Sequence, residues 1–254
     1  MGIIYERHGR TAVLQIHRPK ALNALNRAVV DEMDAILTEI KGDEEINALI
    51  LYGKDNFAAG ADIKDMVRCT EEEARAFSFS DTFHKLAALE IPTIAAMEGY
   101  ALGGGLELAL ACDLRIAAEG SKMGFPEINL GIMPGAGGTI RAPKLIGAAR
   151  AKELILTGET ISAQQALSMG LINRITEKEA VWEEALKLAE KLGKKAPIAL
   201  AAAKKTIDLG LEETDIEAGI AMEANNWAAL FNTQDQKEGM EAFLEKRKPK
   251  YTGK

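Results

Sequence analysis

Gly99-Tyr100-Ala101-Leu102-Gly103-Gly104-Gly105-Leu106-Glu107-Leu108-Ala109-Leu110-Ala111-Cys112-Asp113 contains three consecutive glycines, then a glutamate in an otherwise apolar run. The spacing predicts a helix over residues 106–112. Glycine costs about 1 kcal/mol relative to alanine in a helix interior, so three together need a reason. Close packing accounts for one of them. Three in a row point to backbone N–H groups left open at a helix start, where negative charge is favoured. The G-x-G-x-x-G spacing of a dinucleotide site is absent, and no Gly-Lys-Ser/Thr follows as in a phosphate-binding P-loop. A glutamate in a first helical turn often only complements the dipole. Beside Leu106, Leu108, Ala109 and Leu110, however, burial would push the Glu107 carboxyl upward, towards the range useful for proton transfer.

Working outward, a second glutamate follows 20 positions later, in Phe125-Pro126-Glu127, ahead of Pro134-Gly135-Ala136-Gly137-Gly138-Thr139. A Pro-Glu turn is frequently just a solvated surface pair. A helix from Glu107 to Cys112 covers roughly 8 Å at 1.5 Å per residue. A strand over 113–118 and a further short strand would return the chain to the same end, so both carboxylates can face one pocket. Upstream, Phe57-Ala58-Ala59-Gly60-Ala61-Asp62-Ile63-Lys64 follows an apolar strand. Its small residues allow close approach to backbone, although a plain strand-to-helix turn reads the same way.

Around these motifs, residues 3–7 and 11–17 read as a hairpin. Asn26 caps an amphipathic helix with Val29, Met33, Ile36 and Ile40 on one face. Residues 46–52 and 93–97 read as strands. Residues 71–90 read as one helix with Ala74, Phe77, Phe83 and Leu86 inward, ended by Pro92. Ser162 and Gln165 form a capping-box pattern. From Glu179 onward the chain is mostly helical. No linker or low-complexity tract intervenes, which predicts one α/β domain with a C-terminal helical segment.

The 254 residues suffice for one large core. With a net charge of −7, no overall basic field exists for nucleic acid. Cys69 and Cys112 have no metal or redox spacing and read as free thiols in a reducing compartment. His8, His17 and His84 form no metal motif. No apolar run reaches membrane-spanning length and no targeting signal is seen, which predicts a cytoplasmic protein.

Taken together, the motifs resemble the crotonase superfamily, most closely the enoyl-CoA hydratases. The resemblance runs through RPKALNAL at 18–25, AAGADIK at 58–64, GYALGGGLELALACD at 99–113, PEINLGIMPGAGGT at 126–139, LTGETISAQQALSMGL at 156–171 and KEGMEAFLEKRK at 237–248. It implies a spiral of strand–strand–helix repeats over 1–195 and a helical trimerisation segment over 196–254. It also implies a homotrimer or a dimer of trimers. The implied reaction is reversible addition of water to a trans-2-enoyl-CoA, giving the 3-hydroxyacyl-CoA, as in fatty-acid β-oxidation. Coenzyme A arrives as part of the substrate, and no cofactor or metal is implied.

By the same resemblance, the N–H groups of Ala61 and Gly104 form the oxyanion hole. Glu127 exchanges a proton with the α-carbon, Glu107 activates the water, and the backbone at Gly135 helps hold that water. The segments around Ala24 and around Ala59, Asp62, Ile63 and Lys64 match the coenzyme A region. Lys246 matches a lysine that reaches the coenzyme A phosphate of a neighbouring subunit; a solubilising tail is the plainer alternative. Phe125 departs from the pattern, which has glutamine two residues before the second glutamate. Other readings within the superfamily are a dienoyl-CoA hydratase, an enoyl-CoA isomerase and an acyl-CoA hydrolase. A non-catalytic acyl-CoA binder or an RNA-associated member would belong to another class.

Overall fold

A strand covered on both faces must be apolar at nearly every position, and the central strands here are. The computed structural model describes residues 2–254. The chain opens with β1 (Ile3–His8), β2 (Thr11–Ile16), α1 (Arg27–Lys41) and β3 (Ala48–Gly53). It continues through α2 (Ile63–Met66), α3 (Glu71–Phe77), α4 (Ser80–Ala87), β4 (Thr93–Met97), β5 (Tyr100–Leu102) and α5 (Gly104–Leu110). Next come β6 (Leu114–Ala118), β7 (Lys122–Gly124), α6 (Gly138–Thr157), β8 (Thr160–Ser162), α7 (Ala163–Met169) and β9 (Arg174–Thr176). Four helices complete it: α8 (Val181–Gly193), α9 (Pro197–Gly210), α10 (Ile216–Ala229) and α11 (Gln234–Leu244).

Six strands form one sheet in the order β1-β2-β3-β4-β6-β9, antiparallel only between β1 and β2. A smaller sheet has the order β5-β7-β8. The two-residue period of a strand sends Leu49, Leu51, Ala95 and Met97 into the main core with α1, α4 and α5. It sends Ala48, Ile50, Ile94 and Ala96 to the opposite face, against Val181, Ala185, Leu188 and Ala189 of α8. Alternation of sheet strands with short strands and helices therefore carries the chain forward in layers, as expected of an α/β protein.

The expected single helix over 71–90 is instead two. Ser78 breaks it with an extended backbone (φ −53°, ψ 139°), and its hydroxyl accepts the Ser80 N–H at 3.2 Å. A serine side chain that bonds nearby backbone competes with the helix ladder, which is why the helix stops here. As a result Ala74 lies exposed, while Phe83 and Leu86 are buried as expected. Helix α5 starts two residues earlier than its leucine pattern predicts, so Gly104 and Gly105 lie inside it. Asn26 and the Ser162–Gln165 capping box sit where the sequence puts them.

Helix α9 is tied to the core by polar contacts. From α9, the Lys204 Nζ donates to Asp113 Oδ2 at 2.9 Å, and the same oxygen accepts the Thr93 N–H at 2.7 Å. No residue of α9 or α10 is buried. Ile216, Trp227, Phe243 and Leu244 stand exposed.

The packing around α5 gives a direct test. A Cβ on Gly105 would lie 2.1 Å from the Ala58 carbonyl oxygen, and backbone cannot step aside there. Gly105→Ala is expected to cost about 3 kcal/mol, read as a lower denaturant midpoint. Gly104→Ala meets nothing closer than 3.7 Å and should fold close to normally.

Candidate active site

Every residue of α5 is buried, and Glu107 is only 3% exposed. A carboxylate so far from water must be met by fixed donors. Its Oε1 accepts the N–H groups of Ala136 and Gly138, each at 2.7 Å. Burial holds the Glu107 carboxyl above its usual range; the amides of Gly138, Ala136 and Gly135 and the nearby Arg141 guanidinium pull it back.

The chain returns to this point through β6 and β7. The Gly103 N–H donates to the Gly124 carbonyl at 2.9 Å, and Pro126–Leu130 then forms a turn of 3-10 helix carrying Glu127. Gly103 adopts φ +48°, and a Cβ there would lie 2.7 Å from Glu127 Oε1. The glycine thus makes room for the second carboxylate. Glu127 Oε2 is buried with no hydrogen-bond partner among the described residues. Burial, with a further push from Glu107, raises the Glu127 carboxyl to about 7. The two environments differ in kind: one carboxylate has two amide donors on Oε1 and the other has a buried Oε2 without a partner among the described residues. Such a pair is suited to acid and base roles near neutral pH.

Gly104 places its backbone beside the Ala61 amide: a Cβ on Gly104 would be 3.7 Å from the Ala61 nitrogen. Gly104 is the first residue of α5, so its N–H has no acceptor within the helix. Ala61 is held by its neighbours. The Leu25 N–H donates to Gly60 O at 2.8 Å and the Asp62 N–H to Leu25 O at 2.7 Å. Among the described residues the Ala61 N–H has no backbone acceptor. Two free donors side by side suit an oxygen that gains negative charge.

The other expected binding residues fall into two places. Ala24, Ala59, Asp62, Ile63 and Lys64 lie along two adjacent segments bridged in parallel at Leu25 and Ala61. The Ala59 N–H donates to Leu22 O at 3.1 Å, and Arg18 spans both segments, pairing with Asp62 Oδ2 at 2.9 Å and donating to Ala24 O. Ile63 and Lys64 are exposed beside them. Lys246 sits apart, just past α11, exposed at φ +56°; among the described residues no hydrogen bond links it to the carboxylate pair. Gly135 contributes more through its loop than by itself, since the amides of Ala136 and Gly138 are the strong donors to Glu107.

Several residues at the site escape a sequence reading. Arg141 donates to Ala136 O at 3.1 Å, and Ser80 Oγ donates to Gly135 O at 3.0 Å. Phe125, fully buried, supports the same loop: a Cβ on Gly138 would lie 2.8 Å from its ring. Phe125, singled out in the sequence, therefore gives the loop an apolar floor. Two serines within three residues of an otherwise helical pattern were the only available signal for Ser78 and Ser80. Among the described residues no three His, Cys, Asp or Glu side chains gather as a metal site.

The raised Glu127 carboxyl has a stability consequence. A carboxyl raised from 4.5 in the unfolded chain to about 7 in the native one carries no penalty below pH 4.5. Its penalty grows as pH rises to about 7, where the unfolded chain has ionised and the native one has not. Glu127→Gln should therefore gain stability relative to wild type across that window, by about 2 kcal/mol after discounting for partial exposure. Unfolding midpoints measured from pH 4 to 8 check this; a constant difference would contradict it.

The family model of enoyl-CoA hydratase/isomerase matches residues 6–254. The chain is 44% identical over 251 residues to the short-chain-enoyl-CoA hydratase of Clostridium acetobutylicum, covering 97% of this chain and 96% of that one. It is 43% identical over 257 residues to the crotonyl-CoA hydratase of Syntrophomonas wolfei, covering 100% and 98%. The structure of an enoyl-CoA hydratase from Bacillus anthracis matches it with a TM-score of 0.96 at 40% identity over the whole of both chains. The strand–strand–helix spiral is thus the crotonase-type fold, and the chain belongs to the enoyl-CoA hydratase/isomerase family.

Proposed function

We propose that this protein is an enoyl-CoA hydratase, adding water reversibly to a trans-2-enoyl-CoA to give the 3-hydroxyacyl-CoA. One observation carries the reading: two carboxylates of unlike environment, Glu107 buried and Glu127 half-buried, lie near the start of α5, beside the adjacent Ala61 and Gly104 amides. In this mechanism the thioester oxygen accepts both amide N–H groups. As enolate charge develops there, those donors become stronger, a contribution of about 3 kcal/mol by comparison with other oxyanion sites.

Ionised Glu107 takes a proton from water as the water oxygen bonds to the β-carbon. Protonated Glu127 gives its proton to the α-carbon. One proton has then moved from Glu127 to Glu107, and exchange with solvent resets the pair. The open Glu127 Oε2 supports the donor role, because no group among the described residues hydrogen-bonds to it and competes for that proton. Burial raises the Glu107 carboxyl and so strengthens it as a base, while the Ala136 and Gly138 amides work against that burial to favour the ionised form the base role needs.

The remaining assignments belong to the same reading. The Arg18-braced segments at Ala24 and at 59–64 receive coenzyme A, and Lys246 reaches the coenzyme A phosphates of another copy. Residues 196–254 mediate a trimer or a dimer of trimers, a role suited to the exposed Ile216, Trp227, Phe243 and Leu244. Residues 1–195 form the catalytic spiral.

Crotonyl-CoA is the substrate of first choice, given the relatives' names. Loss of its enoyl-thioester absorbance should follow addition of wild-type protein. Glu107→Gln and Glu127→Gln are each expected to lower kcat by 10²–10⁴-fold with little change in binding. Near-normal turnover in either variant would exclude the two-carboxylate mechanism. Because the acid must be protonated, kcat/KM for hydration should fall tenfold per pH unit above about 7.

A further inference from the structure

We propose that Ser80, backed by Ser78, is a positioning residue for the hydration: it fixes the Gly135–Ala136 peptide plane so that the Ala136 N–H faces Glu107. The argument starts from peptide geometry. In a trans peptide the carbonyl of one residue and the N–H of the next lie in one plane and point opposite ways. The chain has no cis peptide among its described residues. In the 135–136 unit the Gly135 carbonyl accepts Ser80 Oγ at 3.0 Å, with Ser78 Oγ a longer second donor at 3.4 Å. On the other side of the same plane the Ala136 N–H donates to Glu107 Oε1 at 2.7 Å. Holding the carbonyl therefore aims the amide.

The serines are themselves fixed. Their hydroxyls lie 2.8 Å apart, the Ser80 N–H donates to Ser78 Oγ, and the Arg27 guanidinium donates to Ser78 O at 3.0 Å. The next peptide is pinned in the same manner by Arg141 on Ala136 O at 3.1 Å. Gly135 has no side chain to restrain it and is exposed, so without the Ser80 hydroxyl its carbonyl keeps only the longer Ser78 contact among the described residues. The break between α3 and α4, absent from a simple helical reading, is what presents this pair of hydroxyls to the loop.

Loss of the Ala136 donor makes the ionised form of Glu107 less favourable. The charged groups facing Glu107 are Arg141 from α6 and Glu127 from the 3-10 turn. Among the described residues neither is hydrogen-bonded to Ser80, so a shift caused by changing Ser80 is expected to report on the peptide plane.

The test uses full-length protein labelled with ¹³C at the glutamate carboxyls, the Glu107 resonance being assigned with Glu107→Gln. Ser80→Ala is expected to raise the Glu107 ionisation midpoint by about one pH unit and to lower kcat on crotonyl-CoA about tenfold, with KM within twofold. Ser80→Thr, which keeps the hydroxyl, should restore both. Should Ser80→Ala not fold, Ser80→Cys, a weaker donor, replaces it with the same expected directions. An unchanged midpoint in Ser80→Ala overturns the proposal, whether kcat stays normal because water takes over the carbonyl or falls for structural reasons. The kinetic arm rests on the hydratase reading; the titration arm does not. Absence of turnover by wild-type protein would count against that reading, while the Glu107 midpoint still decides about Ser80.

Discussion

Two amide hydrogen bonds of 2.7 Å, from Ala136 and Gly138 to Glu107 Oε1, are the contact on which the rest of the site depends. A carboxylate buried in an apolar helix either finds fixed donors or stays protonated. Supplying those donors from a loop constrains much of the surrounding chain. The loop's outward carbonyls need partners, found in Ser80 and Arg141. Its floor must approach closely, which is why Gly138 leaves no room for a Cβ against Phe125, Pro134 and Glu107 itself. A helix that buries one charged side chain thus organises elements more than 50 residues apart in sequence.

The glycine run meets three separate needs. Gly103 turns the chain through positive φ and leaves space for Glu127, Gly104 brings its amide beside Ala61, and Gly105 lets α5 lie against the Ala58 carbonyl. Replacing any one would disturb a different feature: the second carboxylate, the donor pair or the packing of the helix. Seen this way, acid–base groups and oxyanion donors are not independent parts. They share a single turn of backbone, and their relative geometry is fixed by how closely that turn packs.

Much of this was legible in the sequence. Apolar strands at 48–53 and 93–97, the Asn26 cap and the Ser162–Gln165 capping box follow from local patterns that depend on nearest neighbours. The importance of Glu107 was legible because a charge among leucines must be accounted for. The break at Ser78 was not, since it depends on a hydroxyl choosing between the local backbone and a distant carbonyl. Neither was Arg141, whose part depends on the 135–138 loop lying within reach of its guanidinium.

The sequence by itself determined the class of fold, the two carboxylates and the small residues that admit close backbone contact. These are properties of residue type and spacing, and they persist wherever the segments end up. Only the tertiary structure decided that the carboxylates have unlike surroundings, Glu107 held by two amides on one oxygen and Glu127 left with an open oxygen. A carboxylate's proton affinity is set by burial and by donors within a few ångströms. Here those donors come from a loop about 30 residues away in the chain, so no local pattern could encode the difference.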